Sequence, residues 1–373
     1  MVDQIYRRII VKLGTSTLTA GTSRLAPAQI VNLVRQMSAL IEGGCETILV
    51  SSGAIAVGRE RLGLSALPAT VAARQMLAAV GQPRLMALYE QLFGLYGQTV
   101  AQVLLTRGDI SRRRSYLNAR NTLRALLDHG VTPIVNENDT TATEEIRVGD
   151  NDNLSALVAN LIEADLLLLL TDQPGLFTFD PRLDPQAERL PDVTGDEIPA
   201  EMWAAASPAR GGLGTGGMIT KLQAADLARR SGTTTIVARG SDPDVVLRAA
   251  RGEAVGTRFT ALASTLDGRK RYILSGWDGQ GRIVVDDGAA GALRRGSSLL
   301  PVGVSQVAGE FERGDTVAVF DQAGRELARG LVNYHAGELE RIRGRRSGEI
   351  EAILGYAYGD EVIHRDQLVL HGQ

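Results

Sequence analysis

Cysteine and lysine are both nearly missing from this chain. One cysteine, Cys45, in 373 residues excludes an intrachain disulfide framework and points to a reducing compartment. Long apolar runs are missing too. The longest, Ala164 to Leu170, is broken by Asp165 and falls far short of the roughly 20 residues of a membrane helix. Met1 to Arg8 has no apolar core behind its charges, which argues against a signal peptide. A cytoplasmic protein with no membrane partner is expected. The net charge of −3 removes any global electrostatic case for binding nucleic acid.

The cations that remain are unevenly made: 37 Arg against three Lys, namely Lys12, Lys221 and Lys270. Where arginine serves almost everywhere, a surviving lysine marks a candidate site for a compact point charge rather than a planar fork. Hydrophobic content of 44% with 22% charged residues is that of a soluble globular protein. The length suggests two domains.

Strand and helix patterns alternate as far as about residue 250. "RRIIVKLGTS" reads as a buried strand, and "PAQIVNLVRQMSALIEGG" as a helix with Pro at its start and Gly at its end. "CETILVSSGA", "QTVAQVLLT", "VTPIVNEND", "ADLLLLLTD" and "TTTIVARG" read as further strands, with helical segments between them. The segment "ATVAARQMLAAVGQPRLMALYEQLF" is expected to be a helix interrupted near Pro83. The alternation predicts an α/β fold with a mainly parallel open sheet sandwiched by helices. "ADLLLLLTD" is apolar enough to be a parallel strand buried on both faces. The texture then changes. Residues 1–262 are taken as the catalytic domain and 263–279 as a polar, Gly-rich linker. Residues 280–373 are taken as a small β-rich domain of short strand-like runs separated by Gly and Asp.

In open parallel sheets, ligands bind beyond the carboxyl ends of the strands. Four strands here end in small polar residues: "KLGTS", "SSGA", "NENDTTAT" and "TDQPG". Together they form a candidate site offering backbone donors and a lysine for anions, and carboxylates and amides for an ammonium group or a metal-bound phosphate. The stretch "VGDNDNLSA" adds four Asp and Asn residues, Asp150 to Asn153, ahead of an amphipathic helix. One such residue suffices as a cap, so one is expected to cap and the others to hold ligands. The loop "GGLGTGGMITK" clusters glycines ahead of a helix carrying Lys221. Glycine backbone N–H groups and a helix N-terminus favour phosphate. It is no Walker loop, because Thr220 rather than Gly precedes the lysine.

These motifs, in order and spacing, resemble the amino acid kinases. "VKLGTS", "VSSGAIAVGRE", "LNARNTLRALL", "NENDTTATEEIRVGDNDNLSA", "LLLLTDQPGLFTFDPR" and "GLGTGGMITKLQAA" are similar to the branch that acts on glutamate. The tail, from "DDGAAGALRRGSSLLPVGV" onward, is similar to a PUA domain. The resemblance implies ATP-dependent phosphorylation of the γ-carboxylate of L-glutamate, the first step of proline synthesis. On it, Lys12 and Lys221 would hold phosphoryl oxygens, with Asp152 orienting both. Ser52, Asp139 and Asn151 would bind glutamate. ATP would meet Lys12, Thr171, Asp172 and the segment Thr215, Gly216, Gly217, Met218, Ile219, Thr220 and Lys221. Mg²⁺ would arrive mainly on the ATP phosphates. The resemblance also implies inhibition by proline at the glutamate site, around Asp139 to Glu145. It further implies a homo-oligomer, dimer or tetramer, and coupling to a glutamate-5-semialdehyde dehydrogenase. Pro174 departs from the family pattern, in which a polar or charged residue is commoner, but removes no functional side chain.

The residues agree with that chemistry. A carboxylate nucleophile, with an ordinary pKa of about 4.3, needs no general base at pH 7, and no histidine stands in any of these motifs. Phosphoryl transfer needs positioning and charge neutralisation. Kinases of N-acetylglutamate or aspartate are the nearest alternatives; Asp139 as partner for a free ammonium group favours unblocked glutamate. An RNA-binding protein is the alternative from another class, since PUA domains serve RNA-modifying enzymes. From Gly276 onward, however, 11 Arg face 15 Asp and Glu, and that balance argues against RNA. "RIRGRR" (341–346) reads as a solvated helix face.

Overall fold

The apolar run Arg8–Leu13 forms strand β1, whose alternation assigns its side chains to two faces. Ile9, Val11 and Leu13 join one core cluster with Ile30, Leu33 and Met37. Ile10 and Lys12 point the other way. That parity decides the site: Lys12 is buried on the face opposite this cluster. The computed structural model describes residues 5–22, 24–66, 70–111, 113–142, 150–179, 186–206, 217–262 and 281–370. The expected linker, Thr215, Gly216, Glu145 and Lys270 lie outside them.

After β1 come α1 (Thr15–Thr19), α2 (Pro27–Glu42), β2 (Glu46–Ser51), α3 (Ala54–Leu62), α4 (Val71–Gly94) and β3 (Val100–Leu105). Then follow α5 (Arg107–Ser111), α6 (Arg113–Asp128), β4 (Thr132–Glu137), α7 (Asp150–Ile162), β5 (Leu166–Thr171) and β6 (Asp192–Val193). α8 (Ala200–Ala206), α9 (Met218–Arg230), β7 (Thr234–Arg239), α10 (Val245–Ala250) and β8 (Thr257–Phe259) complete the series. The eight strands form one sheet in the order β3-β4-β2-β1-β5-β7-β8-β6. Every pairing is parallel except β7 with β8. The mainly parallel α/β sheet with flanking helices is as expected; the antiparallel flank is not. Strand β5 is buried along its whole length, with Leu166, Leu168 and Leu170 in the core cluster that packs α2.

Two local expectations need correction. Helix α4 runs unbroken through Pro83. Proline removes the hydrogen bond to the carbonyl four residues back, here that of Ala79. Ala79 is exposed, so water can take the bond and the helix continues. Asp150 to Asn153 all lie inside the first turn of α7 rather than one ahead of it, so none stands at the capping position.

A second sheet is built from β9 (Arg282–Val285), β10 (Val304–Ala308), β11 (Thr316–Phe320), β12 (Glu326–Leu331) and β13 (Leu368–Leu370). Its order is β10-β9-β11-β12-β13, with only β9 and β11 parallel. Three short helices, α11 (Asp287–Arg294), α12 (Ala336–Ile342) and α13 (Ile350–Leu354), accompany it. Ile283, Val317, Val319, Tyr334 and Ile363 belong to its own core. Of "RIRGRR", only Arg341 and Ile342 are helical. Arg343 caps α12 and donates from Nη1 to the Ser305 carbonyl at 2.8 Å. The segment is therefore mostly a turn, not a helix face. The chain forms two compact units, Met1–Ile110 with Ala119–Thr265 and Ser111–Asn118 with Leu266–Gln373.

Candidate active site

Strands β4, β2, β1 and β5 are neighbours in the sheet and run parallel, so their carboxyl ends share one edge. Lys12 stands one residue from the end of β1, in register with Val50 and Leu169. Its ammonium lies 2.6 Å from Asp152 Oδ1. Lys221, in the first turn of α9, places its ammonium 3.2 Å from Asp152 Oδ2. Thr220 Oγ1 lies 2.7 Å from the same oxygen. Asp152 is 0% exposed, Lys12 3% and Lys221 6%. Gly14 lies beside Lys12: a Cβ there would come to 3.4 Å from the Lys12 ammonium, in van der Waals contact.

The electrostatics are finely balanced. Burial alone would push the Asp152 carboxyl up; Lys12 and then Lys221 outweigh it and hold the group at about 2. Lys12 is pulled below the usual lysine range by burial, with Lys221 adding repulsion and Asp152 opposing. At an effective dielectric near 20, an ion pair at about 3 Å is worth roughly 5 kcal/mol. Desolvation costs several kcal/mol per ion, so three buried charges come close to break-even. Two cations on one carboxylate are poor value for stability and well suited to receiving a polyanion.

The other end of the site is made of amides. Asn151, beside Asp152 on α7, donates from Nδ2 to Ser52 Oγ and to Asn136 Oδ1, both at 3.0 Å. Its Oδ1 is buried and has no hydrogen-bond partner among the described residues. An unpaired buried acceptor costs about 1–3 kcal/mol, which a ligand donor would recover. Asp139, two residues past β4, is half-buried, and burial raises its pKa to about 6. Ser52 begins the turn after β2, its N–H bonded to the Leu13 carbonyl at 3.0 Å. The structure thus joins Lys12, Asp152 and Lys221 directly, and Ser52 with Asn151.

On the side expected to take the nucleotide, Thr171 ends β5 and donates to Asp172 Oδ1 at 3.0 Å. The Asp172 carbonyl accepts from Arg239 Nε at 3.3 Å. Gly217 precedes α9 and gives that helix no side-chain cap, leaving its first N–H groups for a ligand. Met218, Ile219 and Thr220 follow in the first turn. Asn136 is the residue that motif reading did not single out. It opens the "NENDTTAT" turn, but no role of its own was assigned to it from the sequence; in the fold it is buried near the end of β4.

Residues 7–239 match the model of the amino acid kinase family, and residues 281–354 match that of the PUA domain. A protein of Shewanella amazonensis named glutamate 5-kinase is 53% identical over 368 residues, covering 98% of this chain and 97% of that one. One of the same name from Citrobacter koseri is 55% identical over 362 residues, 97% of this chain and 98% of that one. Another, from Photobacterium profundum, is 56% identical over 364 residues, 97% and 96%. The chain belongs to the amino acid kinase family, its kinase region followed by a PUA domain.

Proposed function

We propose that this chain transfers the γ-phosphoryl group of MgATP to the γ-carboxylate of L-glutamate. The products are L-glutamyl 5-phosphate and ADP, and the step is the first of proline biosynthesis. The observation that carries the reading is the buried Asp152 holding two lysine ammoniums, next in the chain to Asn151 with its unpaired amide acceptor. A carboxylate oxygen of glutamate forms the new O–P bond while the bond from Pγ to the bridging oxygen breaks, its electron pair leaving on ADP. No proton moves, so no base is needed. Lys12 and Lys221 offset the charge on the transferring oxygens, and Asp152 fixes where those ammoniums stand. The first turn of α9 would take further phosphate oxygens. Ser52, Asn151 and Asp139 would hold glutamate, the last two facing its ammonium group. Among the described residues no group of three or more His, Cys, Asp or Glu side chains could hold a metal ion. The divalent cation would arrive with the nucleotide, as part of the substrate.

The test is ADP release with a panel of amino acids, with hydroxylamine trapping the acyl phosphate as a hydroxamate. L-Glutamate should support turnover; N-acetylglutamate and aspartate should not. Equal or faster turnover of N-acetylglutamate would sink the assignment. In the same assay L-proline, proposed to bind where glutamate binds, should raise the KM for glutamate much more than that for ATP. Insensitivity at millimolar proline would leave the kinase reading standing and remove the inhibition.

Asp139 gives a pH prediction with a definite sign. Burial lifts its pKa to about 6, so it is largely protonated in the empty site at pH 5 and ionised at pH 7. An ammonium ligand binds the ionised form. The KM for glutamate should therefore fall as pH rises from 5 to 7, and Asp139→Asn should raise KM and flatten that step. A wild-type KM flat across this range would detach Asp139 from the ammonium group.

A further inference from the structure

Helix α4 supports the glutamate end of the site through glutamines that no motif contains. Gln75 and Gln82 are seven residues apart and so share one helix face. Gln75 Nε2 donates to the Ala142 carbonyl at 3.2 Å, and Gln82 Oε1 accepts from Asn136 Nδ2 at 2.7 Å. The Gln82 bond holds the end of β4, and the Gln75 bond holds the segment beyond it that carries Asp139. The helix itself is pinned beside Gln82. At Gly81 a Cβ would meet the Ala54 carbonyl oxygen at 1.8 Å, so α3 and α4 touch backbone to backbone.

The amides form a directed chain. Asn136 Oδ1 accepts twice, from its neighbour's Glu137 N–H at 2.9 Å and from Asn151 Nδ2 at 3.0 Å. Its Nδ2 must then be the end that meets Gln82, and Gln82 must present Oε1. Because Asn151 Nδ2 is engaged by Asn136 and Ser52, its Oδ1 is left over. That atom and Gln82 Nε2 are the two ends of the chain, each buried and without a hydrogen-bond partner among the described residues. Reversing any one amide would set donor against donor or acceptor against acceptor.

We infer that Gln82 is a positioning residue that sets the polarity of the glutamate site. By accepting from Asn136 it fixes Asn151 with its acceptor outward, and so makes the site select substrates bearing an α-ammonium group. The inference rests on the proposed glutamate kinase activity. Gln82 itself touches neither reacting atom; it acts through Asn136 and Asn151.

The test compares L-glutamate with glutarate, the same dicarboxylate without the amino group. Gln82→Met keeps length and removes the acceptor. It should raise the KM for glutamate at least about 10-fold, leave the KM for ATP within about twofold, and lower the preference for glutamate over glutarate at least about fivefold. A merely structural defect would weaken both acceptors alike and leave that ratio unchanged. Gln82→Glu keeps an acceptor for Asn136 and should retain the glutamate KM within about threefold. An unchanged ratio in Gln82→Met overturns the inference. If that variant does not fold, a 10-fold rise in KM for Gln82→Glu overturns it instead. Wild-type protein inactive on glutamate is a separate result, which strikes the proposed function itself.

Discussion

Asp152→Asn should cut kcat at least about 1,000-fold, some 4 kcal/mol, and destabilise the fold as well. Both effects have one source. The carboxylate stands between two buried ammoniums, 2.6 Å from Lys12 and 3.2 Å from Lys221. The amide keeps the shape and removes the charge, leaving two cations facing each other without a counter-ion. Removing one partner of a buried ion pair costs roughly 3–5 kcal/mol, so the urea midpoint should fall with little change in m. Lys12, already pulled down by burial and by Lys221, should then titrate lower still and lose its charge more readily. The pH dependence has a fixed sign. The folded pKa of Asp152 is about 2, below its ordinary value. Its contribution to stability is therefore complete above the ordinary carboxylate pKa and is lost as pH falls toward 2. An Asp152→Asn enzyme within tenfold of wild type would remove Asp152 from the mechanism.

Lys221→Arg should lower kcat at least about 100-fold, some 2.7 kcal/mol, with a much smaller effect on ATP binding. In a chain with 37 arginines this exchange looks mild. Lys221, however, is 6% exposed, and its ammonium shares Asp152 Oδ2 with the Thr220 hydroxyl. A planar guanidinium is larger and approaches with a fork rather than a point. The loss should fall on kcat because the interaction matters most as charge shifts in the transition state. Lys270→Arg serves as the control and should be silent. Steady-state kinetics of the two variants decide the matter: if both stay within twofold, the scarcity of lysine carries no catalytic meaning.

Much of this was legible because it is periodic or chemically rare. The buried strands announced themselves by continuous apolar runs. Lys12 and Lys221 stood out against arginine, and the excess of Asp and Asn at the start of α7 exceeded what a cap needs. What stayed hidden depends on contacts between distant segments. Nothing in "TRF" says that β8 pairs antiparallel at the flank of a parallel sheet. Pro83 signals a break in isolation, yet the break is avoided because Ala79 faces solvent. Gln82 is one glutamine in a helix, and only the fold sets it against Asn136. The role of Asn136 was half visible, since an amide at the end of "TPIV" is out of place in a buried strand.

The strand order carries a consequence for synthesis. Strand β5 lies between β1 and β7, and all six of its residues are buried. While the chain is being made, β1 is available at once, but β7 ends 68 residues after β5 does. At about 5–20 residues per second, one side of a run of five leucines waits roughly 3–14 s for its neighbour. An unpaired apolar edge of that kind recruits other strands. Asp165, just ahead of the run, binds the Arg7 and Arg8 N–H groups at 2.9 and 2.8 Å, and so ties the segment to β1 from the start. The same interval leaves Asp152 with one lysine of its two, so the proposed catalytic centre is complete only when α9 has been made.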